Sequence, residues 1–580
     1  MTVATDPDIR TDHLSATSRE AMDRAVGELQ ARTKAWTQVS VRERISLIEE
    51  LTRGFLAVAD RWADASVKAE GIDPALPVSG EEALVGPYLV LRNLRLLKRA
   101  LWDIEVHGRP RIPGSIRTRP DGQVTVRVFP YDVWDQIFYT GVTADVWMQP
   151  GVTAENLRET MAVAYHAPER NGAVALVLGA GNVTSIGPMD ALYKLFVEDQ
   201  VVLFKTHPAN VYLGPLLEEG FKALVDRGFL RVVYGGGEEG AWLCAHPGVD
   251  EIHITGSDRT YEAIVYGSGE EGRRRKERDE PVTDKRVTAE LGNVSPVIVV
   301  PGPEGSWSDT DIAYHAENLA TMLANNAGFN CNAARVIIQH ASSPQREPLM
   351  TALRQVLAQL PTRKAWYPGA GDRFDAFLEA HPEAEIFGDR LHEHLPWALI
   401  PGVSPESRDD IAFRTEAFCG VFSETRLQAG SAAEYLDRAV ELCNETLWGT
   451  LNATLIVHPS SLRDPETKKA LDRAVANLRY GTIAINHWAG AGYGLVITPW
   501  GAFPGHTRQD IQSGVGVAHN TLMFDRAQKA VVSAPFRAWP KPVWFITHKT
   551  THKVTPKLVR FEAEPSFSKI PGILGLAMKG

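Results

Sequence analysis

The sequence predicts an α/β protein, and three observations carry that expectation. Residues 171 to 266 alternate apolar, strand-like runs with amphipathic helical ones. A second alternation of the same kind runs from about 292 to 500. The chain, at 580 residues, is also longer than one ordinary core accommodates, so two or more domains are expected.

The elements follow in order. "SREAMDRAVGELQARTKAWTQ" and "VRERISLIEELTRGFLAVADRWADASVKAEG" space their apolar residues as helices do. From roughly 105 to 150 the text becomes β-rich around a Pro-Asp-Gly turn, which reads as a hairpin or an extended arm. "GAVALVLG", "QVVLFK", "LRVVYG" and "VDEIHITG" are strands separated by helical stretches. This βαβαβ run implies a parallel sheet covered by helices, the architecture of nucleotide-binding α/β domains. The charge run "GSGEEGRRRKERDEPVTDKR" (267 to 286) reads as a solvated loop, with an anion-binding loop as the sharper alternative. Beyond Phe536 the tail carries eight Lys or Arg against two Glu, and its "PVWFITHKT" and "PKLVRFEA" look β-like.

Composition narrows the function. Lys and Arg number 61 against 71 Asp and Glu, a net charge of −10, which argues against a nucleic-acid partner. The four cysteines show neither CxxC nor zinc-like spacing, so neither a disulfide framework nor a metal site is expected, and a reducing, cytoplasmic setting is the simpler reading. No apolar run reaches the ~18 residues of a transmembrane segment.

One cysteine stands apart. Cys244 and Cys443 sit among apolar neighbours as small hydrophobes. Cys331, in "NNAGFNCNAAR", is surrounded by small and amide side chains that leave its sulfur approachable, as a nucleophilic thiol requires. Glu290, in "TAELGNVSP", stands where a strand turns and can act as a base on water. Asn182 ends a strand just before a helix, where its amide can donate to developing negative charge. Lys205 ends the next strand in "VVLFKTHPAN" and can donate to ribose hydroxyls. Each of these residues has a plain surface or packing role as its competitor.

Taken in order, these segments resemble the aldehyde dehydrogenase superfamily over roughly residues 40 to 520. Asn182 and Lys205 have the family's spacing; "AELGNVSP" is similar to its Glu-Leu-Gly-Gly-Lys-Ser-Pro, and "NCNAARVII" to its catalytic-cysteine segment. "HPGVDEIHITGS" ends in the family's Thr-Gly-Ser turn, "TEAFCGV" resembles Glu-x-Phe-Gly-Pro-Val, and "PWGAFPGHTRQDIQSGVG" resembles the closing Phe-Gly-Gly segment.

The resemblance implies NAD(P)-dependent oxidation of an aldehyde to an acid. In it Cys331 forms a thiohemiacetal and then a thioester, Asn182 holds the oxyanion, and Glu290 activates water. Lys205, Gly256, Ser257, Glu416 and Phe418 would bind NAD or NADP. A CoA-dependent relative, with a thiol in place of water, is the alternative. The resemblance also implies a Rossmann-like cofactor domain (1–104 and 151–291) and an α/β catalytic domain (292–500). A β arm and tail (105–150 and 501–580) would join a homodimer or homotetramer. Departures are Pro208, where NAD-preferring members carry Glu; Tyr261, where a glycine is usual and whose bulk implies an altered cofactor pose; and Gly-Ala-Gly ahead of Asn182. A moderately large, apolar aldehyde fits the aromatic stretch near 130 to 150.

Overall fold

The computed structural model describes residues 15–580, so part of the polar N-terminal leader lies outside the described residues. Two sheets organise the chain. The first has six strands in the order Gly514–Val515, Arg286–Leu291, Glu251–Gly256, Val174–Leu178, Val201–Lys205 and Leu230–Val233. All but the Gly514–Val515 strand run parallel. "VVLFK" is buried along its whole length and "VALVL" up to the half-buried Leu178, as strands covered on both faces are.

The second sheet has eleven strands. Its centre is parallel and contains Ser295–Val299 and Ala334–His340, which flank the approach to Cys331. Ile116–Thr118, Val124–Phe129 and Thr143–Met148, from the stretch read as an arm, extend this sheet antiparallel through Ala527–Ser533. That last strand pairs parallel with Thr482–Ile485. Arm and central sheet are therefore continuous within one chain.

The N-terminal helices form as their periodicity predicts. Val41–Ala69 starts on a capping box in which Ser40 and Glu43 satisfy each other's backbone amides. Leu47, Leu51, Phe55, Val58 and Trp62 then face inward at helical spacing.

Two local expectations are corrected. The tail read as β-like contains the helices Thr551–Ala563 and Ile570–Ala577. Val554, Leu558, Val559 and Phe561 make one buried helical stripe, and its packing overrides the strand preference of the β-branched and aromatic residues. The charge run read as a loop contains the helix Gly269–Arg278. Glu270 pairs with Arg274 and Glu271 with Arg275, one turn apart, and acids at its start with bases at its end suit the helix dipole.

One buried guanidinium ties the tail to the rest. Arg92, 1% exposed, donates from Nη1 to Glu562 at 3.0 Å, from Nη2 to Asp135 at 2.7 Å and from Nε to the Leu495 carbonyl at 3.1 Å. It thus joins the helix Leu89–His107, the arm, the tail and the segment ahead of Trp500. Removing one partner of a buried pair strands the other charge, at a cost of about 3–5 kcal/mol. Glu562→Ala is expected to lower the apparent melting temperature clearly, and Glu562→Gln less, as read by calorimetry.

Candidate active site

The strands Val174–Leu178, Val201–Lys205 and Glu251–Gly256 end on one side of a cleft of about 1600 Å³. Ligands of open α/β sheets bind at such carboxyl ends. The catalytic candidates Asn182, Glu290 and Cys331 all line this cleft, and so do the cofactor candidates Lys205, Gly256, Ser257, Glu416 and Phe418.

Cys331 is half-buried, whereas Cys244, Cys419 and Cys443 are buried. Burial, then the carboxylates of Glu290 and Glu416, push its thiol well above the ordinary range. Glu290 is 3% exposed and accepts a hydrogen bond on Oε1 from the Trp500 indole at 2.9 Å. Burial raises its pKa to about 7, opposed by the indole and by a hydrogen bond from the thiol. At neutral pH such a carboxyl is poised to take a proton.

The Cys331 backbone rests on amides. Asn293, where the family pattern has glycine, exchanges hydrogen bonds with Asn452 at 3.0 and 3.1 Å. Asn452 also donates to the Cys331 carbonyl at 3.4 Å. Ahead of the cysteine, Asn326, Ala327 and Gly328 are all left-handed, at φ 52°, 52° and 83°. Two non-glycine residues in that region persist only where the surroundings over-determine them. Here Glu81 accepts from Asn325 at 3.0 Å and from the Asn326 backbone at 3.3 Å. Arg335 donates to the Gly328 carbonyl at 2.6 Å.

Asn326 donates to the Asn182 carbonyl at 2.7 Å and to Asn330 at 3.1 Å. The Asn182 amide spends one N–H on the Phe329 carbonyl at 2.8 Å, leaving its second to the cleft. Asn330 belongs to this buried amide ladder, donating in turn to the Asn325 side chain at 2.8 Å. The backbone carbonyl of Asn332 accepts from the Trp488 indole at 2.8 Å.

On the opposite wall Lys205 donates to the Gly235 carbonyl at 2.6 Å, and burial lowers its pKa. Gly256 and Ser257 are exposed, and Ser257 caps the helix Asp258–Tyr266 through the Thr260 amide at 3.2 Å. This helix and Gly237–Ala245 both open onto the cleft, where their N-terminal amides suit a pyrophosphate. Phe418, at φ 44°, is fixed by Arg373, which donates to the Ala417 and Phe418 carbonyls at 3.1 Å. Glu416 lies against Gly292, where a Cβ would overlap it, and burial raises its pKa to about 8. Its Oε1 has no hydrogen-bond partner.

The departures resolve in part. Tyr261 is 3% exposed and packs with Ile254, Val265 and Leu291, away from the cleft lining, so its bulk does not alter the cofactor space. Gly181 is required because the His207 ring occupies the space of its side chain. His207 in turn stacks near Tyr367, with ring centroids 6.1 Å apart. The C-terminal end of the charge run, Val282 to Lys285, lines the cleft. The Lys285 ammonium, however, is committed to the Cys244 and His246 carbonyls at 2.7 and 2.6 Å. His207, Tyr367, Arg373 and Trp500 were all missed in the sequence. Only Trp500 carried a signal, an aromatic N–H donor where the family pattern has phenylalanine.

Residues 187–369 match the sequence model of the aldehyde dehydrogenase family. This stretch includes Lys205, Gly256, Ser257, Glu290 and Cys331. Over that segment the chain is similar to the aldehyde dehydrogenase family. Among curated proteins it is similar to N-succinylglutamate 5-semialdehyde dehydrogenase of Novosphingobium aromaticivorans, 29% identical over 170 residues, covering 29% of this chain and 32% of that protein. It is also similar to 4-trimethylaminobutyraldehyde dehydrogenase B of Danio rerio, 33% identical over 148 residues, covering 25% of this chain and 24% of that one. The chain thus spans about a third or less of the length of these relatives.

Whole-fold likeness reaches further. An NAD-dependent aldehyde dehydrogenase from Sinorhizobium meliloti superposes with a TM-score of 0.59 at 18% identity, covering 90% of this chain and 89% of that one. An NADP-dependent glyceraldehyde-3-phosphate dehydrogenase from Bacillus halodurans C-125, solved with NADP, gives 0.57 at 18% identity, covering 89% and 92%. The aldehyde dehydrogenase fold therefore extends well beyond the matched segment. Among the described residues no helix is long and apolar enough to cross a membrane, and no group of three or more His, Cys, Asp or Glu could hold a metal ion.

The electrostatics at Cys331 can be checked directly. A neighbouring negative charge disfavours the thiolate, so Glu290→Gln is expected to speed alkylation of Cys331 by iodoacetamide severalfold at mildly alkaline pH. Peptide mass spectrometry would follow the rate, and an unchanged rate would place the carboxylate too far from the sulfur to matter.

Proposed function

We propose that this aldehyde dehydrogenase fold oxidises an aldehyde to a carboxylic acid with NAD or NADP as acceptor. The observation that carries the reading is a half-buried thiol and a raised-pKa carboxyl meeting in a cleft at the carboxyl ends of parallel strands. The Cys331 sulfur adds to the aldehyde carbon as its proton leaves to solvent, so Glu290 stays free for the later step. The free N–H of Asn182 and the Cys331 backbone amide hold the resulting oxyanion.

The cleft suits a dinucleotide in size and in its two helix N-termini. Gly256 and Ser257 would face the pyrophosphate, Lys205 and Glu416 the ribose hydroxyls, and Phe418 the nicotinamide. A bound nicotinamide supplies the hydride acceptor that leaves a thioester on Cys331. Glu290 then takes a proton from water as its oxygen adds to the thioester carbon. The C–S bond breaks, the acid departs and the thiol is restored. Pro208 leaves no carboxylate at its position to oppose a 2′-phosphate, which leaves room for NADP. A homodimer or homotetramer in a cytoplasmic setting accompanies this reading.

Glu290 beside Cys331 favours water over CoA as the acyl acceptor, because a thiol acceptor needs no such base. An aldehyde panel with each cofactor, with and without CoA, separates the two. With an active aldehyde, Cys331→Ala is expected to abolish the NAD(P)H burst. Glu290→Gln should keep the burst and lose steady turnover by roughly 10²–10⁴-fold. Equal loss of burst and turnover would remove Glu290 from the water-activating role.

A further inference from the structure

Glu290 sits at a strand end, where a glutamate side chain has several rotamers and only some of them face the sulfur. Something must choose among them. Asp190, Glu416, Tyr493 and Cys331 are its ionisable neighbours: the Asp190 charge opposes its ionisation, the Cys331 thiol favours it by donating a hydrogen bond, and its own charge raises Glu416 and Tyr493. Trp500 is the side chain whose neutral donor holds it, through a buried indole N–H to Oε1 at 2.9 Å.

Trp500 is itself immobilised. It is 1% exposed, its backbone amide donates to the His519 carbonyl at 3.1 Å, and its carbonyl accepts from Ala518 at 2.7 Å. Tyr493 packs against the ring at 5.8 Å between centroids and 78° between planes. The segment just before it is held by Arg92 at the Leu495 carbonyl.

We propose that Trp500 is a positioning residue for water activation, pinning one oxygen of the Glu290 carboxylate so that the other lone pairs meet a water beside the Cys331 acyl group. The inference rests on the general-base reading of Glu290. Beyond geometry, an N–H donor favours the ionised carboxylate, so the indole also keeps the base available near neutral pH, against the burial that raises it to about 7.

p-Nitrophenyl acetate tests this without any assumption about the aldehyde or the cofactor, because an activated ester acylates the thiol directly. In wild type, a burst of nitrophenol reports acylation of Cys331, and the steady rate reports attack of water on the acyl-enzyme. Read at the isosbestic wavelength of nitrophenol and nitrophenolate, Trp500→Phe is expected to keep the burst. Its steady rate should fall about tenfold at neutral pH and recover as pH rises, the signature of a base whose pKa has moved up. The Trp500→Phe/Glu290→Gln double variant should deacylate no more slowly than Glu290→Gln alone. A steady-rate profile superimposable on wild type, or losses that multiply in the double variant, would overturn the positioning role. Absence of a wild-type burst, or a Glu290→Gln rate equal to wild type, would instead sink the underlying reading.

Discussion

A carboxyl group and a thiol confined together in a low-dielectric space each resist ionising, and most of the structure around Cys331 follows from managing that cost. Neither Glu290 nor Glu416 has a cation bonded to it; both are raised, Glu290 to about 7 and Glu416 to about 8. The thiol is pushed up in the same field. The cleft therefore holds its acidic groups largely protonated, with neutral donors such as the Trp500 indole orienting them.

Rigidity is supplied from two directions. Behind Cys331, Glu81 fixes Asn325 and Asn326, and Asn326 fixes Asn182, so the Asn182 segment and the cysteine segment share one buried amide ladder. On the far side the pairing of Gly514 with Glu290 clamps the Glu290 backbone, while Trp500 holds its side chain. A cleft able to admit a dinucleotide cannot pack its own walls tightly, and hydrogen bonds replace packing as the source of order.

The sequence was most legible where periodicity or order along the chain did the speaking. Buried strands such as "VALVL" and "VVLFK" could be read from apolar runs, and Asn182, Lys205, Glu290 and Cys331 from their sequence of segments. The tail helix was misread because Val554, Val559 and Phe561 favour strands locally, and only packing against the helices of the first hundred residues decides otherwise. Arg373, His207 and Trp500 escaped because their partners are backbone carbonyls, a ring and a carboxylate far away in sequence. Tyr261 was over-read, since a bulky residue on a cleft helix can turn its ring into the core behind.

The Arg92 and Glu562 contact joins groups 470 residues apart. During synthesis the ribosome must therefore deliver the sheets, the Cys331 loop and the arm before Arg92 can meet its second carboxylate. Until then a buried guanidinium beneath the Leu495 carbonyl is under-neutralised, and the segment leading to Trp500 lacks its final brace. A C-terminally clipped chain would hold every residue of the cleft and still lack the carboxylate that Arg92 bonds. Completion of the tail thus supplies the last partner of this buried guanidinium.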